Sequence, residues 1–225
     1  ATGVRARPER LTGIQYHVIV RLEHVFTALL NPVTGGPGVW TMKNDMEVPK
    51  NLQLPITIPV KYLGKRDAMG LWGIDHTKQP VADMVQAAKC LKLGMSLPFL
   101  QIKVSNKGID VEENVGNLNK SFEEGHYAID MISYGVQDVV YNRVFAMIVV
   151  REGNLRETHP FECHAFVCES RQSARLLTCA LASAFREFSK VIKANKLKPK
   201  RFAIDLRTPE EIQAEVTQLD PDSEA

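Results

Sequence analysis

Residues 159–168, His-Pro-Phe-Glu-Cys-His-Ala-Phe-Val-Cys, form the richest cluster of reactive side chains in the sequence. Two imidazoles and two thiols within ten residues are the donor types of a zinc site. A cysteine beside a histidine is also the raw material of an activated nucleophile. Strand geometry works against both readings. Successive side chains on a strand point to opposite faces, so Cys163, Ala165 and Val167 face one way and His164, Phe166 and Cys168 the other. The donors diverge, and Cys163 cannot pair with its neighbour His164. No Gly-x-Ser-x-Gly elbow occurs in the chain, and the glycines at 35–38 and 70–73 lack the Lys-Ser/Thr context of a phosphate loop. The expectation is a core strand, with no metal, no cofactor and no enzyme activity.

The elements that would hold this strand can be read from periodicity. Pro55 and Pro59 bracket the β-rich run Ile56-Thr57-Ile58, which continues to a strand end at Gly64. Val81, Met84, Val85, Ala88 and Leu91 recur at helical spacing, with Pro80 near the start and Gly94 past the end. Residues 99–104 and 109–113 alternate around Asn106-Lys107-Gly108, which predicts a hairpin. Further strands are predicted at 127–134, 143–151 and 161–167. The period then changes: Leu177, Leu181, Ala184, Phe185, Phe188, Val191 and Ile192 follow an i, i+3, i+4 pattern, with Ser170 as N-cap. A curved antiparallel sheet or sandwich capped by this long helix satisfies the order of elements.

The chain has 225 residues, 44% of them hydrophobic and 24% charged, which is the composition of a globular protein. This length suits one domain with extensions. No apolar run reaches the roughly 18 to 20 residues needed to cross a bilayer. The first ten residues lack the apolar stretch of a secretory signal, so export is not indicated. Cys90, Cys163, Cys168 and Cys179 read as reduced thiols in a cytoplasmic protein. The net charge of +2 hides two blocks: seven basic residues against one acidic between 186 and 201, and six acidic with no basic residue from 209 to 225. The basic block could be a phosphate-binding stripe, or the solvated end of the last helix, where cations complement the dipole. Without interleaved aromatics the second reading is favoured, and no nucleic-acid partner is expected.

Several segments together resemble one family. Val60-Lys61-Tyr62-Leu63-Gly64, residues 102–109, Ile132-Ser133-Tyr134, Arg143-Val144-Phe145-Ala146, and Glu162-Cys163-His164-Ala165-Phe166-Val167-Cys168 before a helix with Ala184-Phe185 are similar, in order and spacing, to a phosphotyrosine-binding (PTB/PID) domain. The likeness covers residues 54–194 and is strongest, through the Glu-Cys-His-Ala-Phe segment, to the branch of the LDL-receptor adaptor, Disabled and Numb. It implies an α+β, mainly β fold, pleckstrin-homology-like: a two-sheet antiparallel sandwich capped by a long C-terminal helix. It implies a domain at 51–196, an N-terminal extension at 1–50 and a basic-then-acidic tail at 197–225.

The resemblance also implies a function. In the family an NPxY peptide from a receptor tail adds as an antiparallel strand between the fifth strand and the last helix. By position, the edge strand is 129–136, with Ile132, Ser133, Tyr134 and Gly135 facing the peptide, and Leu181, Phe185 and Phe188 form the helix wall. Phe161 stands where phosphate-dependent relatives supply an arginine, so binding is expected to be phosphate-independent. Lys61 and Arg143 match positions that bind phosphoinositide headgroups in this branch, and Lys89 and Lys92 can add by charge, so recruitment to a membrane surface is the alternative function. Finally, Leu29-Leu30-Asn31-Pro32-Val33-Thr34 resembles an NPxY ligand with Thr in the tyrosine position. Asn31, Pro32 and Thr34 are therefore candidates for an intramolecular contact with the groove, although Asn-Pro is also a common turn starter.

Overall fold

A computed structural model describes residues 52–122, 124–151, 160–195 and 203–219. The expected contact from Asn31, Pro32 and Thr34, and His159 of the His/Cys cluster, lie outside these residues.

Eight strands form one hydrogen-bonded sheet: β1 (Ile56–Asp67), β2 (Phe99–Ser105), β3 (Gly108–Glu113), β4 (Gly125–Ala128), β5 (Ile132–Gln137), β6 (Val144–Val150), β7 (Phe161–Cys168) and β8 (Ala203–Asp205). Their order in space is β4-β3-β2-β1-β7-β6-β5-β8. The expected two layers are joined through β1. Its first half pairs with β2, from Ile56 opposite Val104 to Lys61 opposite Phe99. Its second half pairs with β7, from Val60 opposite Cys168 to Asp67 opposite Glu162. Gly64 does not end this strand. It sits at φ +120° where the register shifts after Tyr62, and the bulge lets β1 run on to Asp67. The strand predicted at 127–134 is likewise two, β4 and β5, because a tight turn at Met131, whose N–H donates to the Ala128 carbonyl at 2.9 Å, reverses the chain.

Burial explains the sequence pattern of each strand. β2 alternates buried and half-buried residues, as a strand with one core face should. β5 is buried throughout and β6 over all but its last residue, which is why Val144–Val150 reads as an unbroken apolar run. One face of these strands, with Ile132, Phe145, Met147 and Val149, packs under α2 (Arg171–Ala194) through Leu177, Leu181 and Phe185. The other face, with Tyr134, Val136, Ala146 and Ile148, packs against Val81, Met84 and Val85 of α1 (Asp75–Lys89). Each Val, Leu, Ile, Met or Phe among them contributes on the order of 1.5 to 3 kcal/mol on burial.

The helix ends follow local chemistry. Ser170 caps α2 as expected, in an extended conformation with its hydroxyl accepting from the Ser173 N–H at 3.0 Å. In α1, Pro80 is not at the start: the helix begins at Asp75, one turn earlier, where the Thr77 hydroxyl donates to the Ile74 carbonyl at 3.1 Å. The helical φ of proline suits that position at the cost of one backbone bond. The segment after residue 196, expected as a tail, contributes β8 and α3 (Pro209–Leu219). No helix among the described residues is long and apolar enough to cross a membrane.

Gly108, at φ +142°, closes the β2–β3 hairpin where a Cβ would stand 2.0 Å from the Tyr127 carbonyl oxygen and 2.8 Å from the Ile129 nitrogen. Both neighbours are backbone atoms of the β4 region and cannot rotate away. The Gly108→Ala variant is therefore expected to lose about 2 to 4 kcal/mol, measured by urea unfolding, from combined backbone strain and overpacking. A loss under about 0.5 kcal/mol would show that the hairpin relaxes freely.

Candidate functional site

The His/Cys cluster divides as strand alternation requires. Cys163 and Ala165 pack on the α1 side, and Phe166 and Cys168 on the α2 side. Burial pushes the Cys163 and Cys168 thiols up to about 12, so both are protonated at neutral pH. No group of three or more His, Cys, Asp or Glu side chains among the described residues is placed to hold a metal ion. His164 is instead buried against tyrosines of β1 and β4. Its Nδ1 lies 3.0 Å from the Tyr62 hydroxyl and 3.5 Å from that of Tyr127, and its Nε2 lies 3.5 Å from Glu162 Oε2. Glu162 also pairs with Lys65 at 3.1 Å and with Arg151. His164, together with Arg151 and Lys65, holds the Glu162 carboxyl well below its usual range, against the opposing effect of burial.

The second candidate is the groove between β5 and α2. Its wall residues come together: Leu181 and Phe185 are buried in the same cluster as Ile132, and the half-buried Phe188 packs on it. Gly135 is the point of closest approach. A Cβ there would stand 2.6 Å from Leu181 Cδ2, so the missing side chain is what lets the helix sit against the strand. Ser133 and Tyr134 face inward. The Ser133 hydroxyl meets the Leu71 carbonyl at 2.8 Å and the Ile148 carbonyl at 3.3 Å. Burial pushes the Tyr134 phenol well above its usual range, with the Asp205 carboxylate adding to the shift.

The expected free edge is occupied. The strand spans Ile132–Gln137 rather than 129–136, and β8 pairs with its outer side in parallel: Tyr134 opposite Ala203, Gly135 opposite Ile204 and Val136 opposite Asp205. Alternation along β8 sends Ile204 to the α2 side, with its Cδ1 3.5 Å from the Cβ position of Gly135. Ala203 packs on the opposite side. The three residues of β8 are too few to show a period of two. A better signal lies just downstream, where Thr208-Pro209-Glu210-Glu211 forms a capping box. The Glu211 N–H donates to Thr208 Oγ1 at 3.2 Å and the Thr208 N–H donates to Glu211 Oε2 at 2.6 Å.

The four basic residues expected to face a headgroup are all exposed. Lys61 lies opposite Val167, which lies opposite Val144, next to Arg143. The Arg143 guanidinium donates twice to the Cys168 carbonyl, at 3.1 Å each. Lys89 Nζ stands 5.6 Å from the centre of the Tyr141 ring. Lys92 follows in the loop after α1. Four exposed apolar side chains flank this end of the sheet: Leu93 and Met95 in the 90–98 loop, Val115 and Leu118 in the next. The Asn119 side-chain amide ties the two loops by donating to the Ser96 carbonyl at 2.6 Å.

The charge network on Glu162 yields a pH prediction. A carboxyl held below its unfolded value of about 4.5 adds stability that is fully present above that pH and is lost as the pH falls through the lower folded value. Glu162→Gln should therefore be less stable than the parent at pH 7, with the gap narrowing below pH 4, in urea unfolding across pH. A gap independent of pH would contradict this origin.

The sequence matches the phosphotyrosine interaction domain (PTB/PID) family over residues 57–214, a span that includes β8. Low density lipoprotein receptor adapter protein 1 of Homo sapiens is 32% identical over 142 residues, covering 62% of this chain and 43% of that protein. The Xenopus laevis low density lipoprotein receptor adapter protein 1-B is 33% identical over 149 residues, covering 65% and 45%. The chain thus spans less than half the length of these curated relatives. Among solved structures, the C-terminal phosphotyrosine interaction domain of mouse APBB2 aligns with a TM-score of 0.44 at 22% identity, covering 64% of this chain and 94% of that one. With the match running through the sheet, both long helices and the β5–α2 groove, this chain belongs to the phosphotyrosine interaction domain (PTB/PID) family.

Proposed function

We propose that this domain is a non-enzymatic adaptor module that takes up NPxY-like segments of receptor cytoplasmic tails by strand addition to β5 beneath α2. The observation that carries this reading is β8 itself. An extended segment already lies along β5, with main-chain pairing at Tyr134, Gly135 and Val136 and one aliphatic side chain at the notch made by Gly135 and Leu181. A surface that accepts a three-residue strand in this way offers both parts of strand-addition recognition, backbone hydrogen bonds for affinity and a side-chain pocket for choice. The similarity to low density lipoprotein receptor adapter proteins supports a receptor tail as the source of the peptide. Ile132, Ser133, Tyr134 and Gly135 would supply the strand, and Leu181, Phe185 and Phe188 the wall.

The start of β7 supports phosphate independence. Phe161 packs there against the α1-side cluster, where it offers no charge to a phosphate. Fluorescence polarisation with an NPxY peptide, unphosphorylated and phosphorylated on tyrosine, should give affinities within tenfold of each other. A preference above tenfold for the phosphopeptide, about 1.4 kcal/mol, would overturn this part of the reading.

A second reading is favoured by one specific arrangement. Lys61, Lys89, Lys92 and Arg143 gather toward the end of the sheet where Leu93, Met95, Val115 and Leu118 project. Basic side chains around exposed apolar tips suit an anionic membrane surface, to which each cation near the surface contributes about 1 kcal/mol. Vesicles containing phosphoinositide should sediment the parent chain, and Lys61→Ala with Arg143→Ala should weaken that binding about tenfold or more. Equal sedimentation of parent and variant would remove this reading.

A further inference from the structure

β5 has one outer edge, and each outward N–H and C=O along it can join one ladder. Ala203, Ile204 and Asp205 hold that edge, and the residues around them extend the attachment. Ile204 and Leu206 are buried in the cluster that contains Leu181 and Phe185. Asp205 faces Tyr134 on the opposite side and pairs with Arg207 at 2.5 Å. Beyond the strand, Ile212 is buried among Tyr134, Val136 and the α1 residues. Glu210 pairs with Arg171 at the start of α2 at 2.5 Å, and Arg175 donates to the Arg207 carbonyl at 3.4 Å. Residues 203–212 thus cover the same backbone edge and the same apolar notch that an incoming peptide would need.

We propose that this segment is a ligand in cis for the peptide groove, an internal competitor that a partner peptide must displace. The inference rests on the peptide-binding reading above and concerns how that site is controlled.

Several features make the segment displaceable. Its ladder has three residue pairs, whereas β7 makes seven with β1 and seven with β6. It lies at the edge of the sheet and, among the described strands, neighbours β5 alone. Its outlying ion pair, Arg171 with Glu210, joins side chains 33% and 61% exposed, a kind of pair that stabilises little. Short edge elements with few paired residues open at the low end of the free-energy range of a domain. Release would free β5, leaving α2 and the rest of the sheet in place.

The tether makes the competition effective. Eight residues separate Ala194 from Ala203, and a connection this short holds the segment at an effective concentration on the order of millimolar. A groove that is open in one molecule of ten binds peptide with a tenfold weaker apparent affinity than one that is always open. The occupant also indicates what the groove accepts: an extended segment with an aliphatic side chain at the Gly135 position.

The test compares the full chain with its Ile204→Asp, Leu206→Asp double variant, both titrated with a fluorescein-labelled NPxY peptide. Charged side chains in place of two buried aliphatic ones should eject the segment, and the variant should bind at least tenfold more tightly. Equal affinity in both chains overturns competition in cis while leaving the peptide-binding reading intact. Binding by neither chain, with the variant folded by circular dichroism, removes that reading and this proposal with it. If the double variant unfolds, hydrogen exchange on the unmodified chain decides. Saturating peptide should speed amide exchange in residues 203–212 more than tenfold while β6 stays protected, and unchanged protection of 203–212 at saturation refutes the proposal.

Discussion

β5 is covered by α2 on one face and, on the other, by the cluster that holds Ile212 and the α1 residues, and this double burial governs the rest of the molecule. A strand in that position has its side chains removed from water, so the polar groups along its outer edge are the part that still needs a partner. Leaving buried N–H and C=O groups unpaired is costly, and native proteins almost always satisfy them. The edge can be met by water, by a strand from the same chain or by a strand from elsewhere. In this structure β8 meets that requirement along Tyr134, Gly135 and Val136.

The remaining elements serve the edge. β1, with its bulge after Tyr62, carries the ladder from the β2–β4 hairpin system to β7 and β6, which fixes β5 at the far side. Gly135 lets α2 approach closely enough for Leu181 to form one wall of a slot over the strand. The direction of the occupant also follows from geometry. The 24 residues of α2 span about 36 Å and deliver the chain to the far end of the groove. A segment returning beside the helix then runs with β5, so β8 is parallel to it.

Much of this was legible in the residues. The alternation of 99–104 and 109–113 about Asn106-Lys107-Gly108 is local and appears in the structure as the β2–β3 hairpin. The i, i+3, i+4 stripe and Ser170 likewise specify α2 from within, since both the stripe and the cap act over a few residues. The divergence of Cys163 and His164 was readable from strand alternation alone. Other features escaped because their causes are not local. Gly64 has the appearance of a strand end, and only the shifted pairing of β1 with β7 makes it a bulge. Tyr127 and Tyr134 lie in one β-rich stretch, and the reversal at Met131 depends on β4 and β5 finding different partners.

The sequence by itself determined the family-like order of strands and helices, and the sides of the strand to which Cys163 and His164 point. These depend on spacing along one chain, on periods of two and 3.6 and on the side-chain types at each step. Only the tertiary structure decided which strand edge is covered. Ala203, Ile204 and Asp205 lie more than sixty residues from β5 in sequence, between a basic block and an acidic helix, with no period of their own. Their pairing is set by where α2 leaves the chain and by the one edge within reach, which are properties of position in space rather than of the residues read in line.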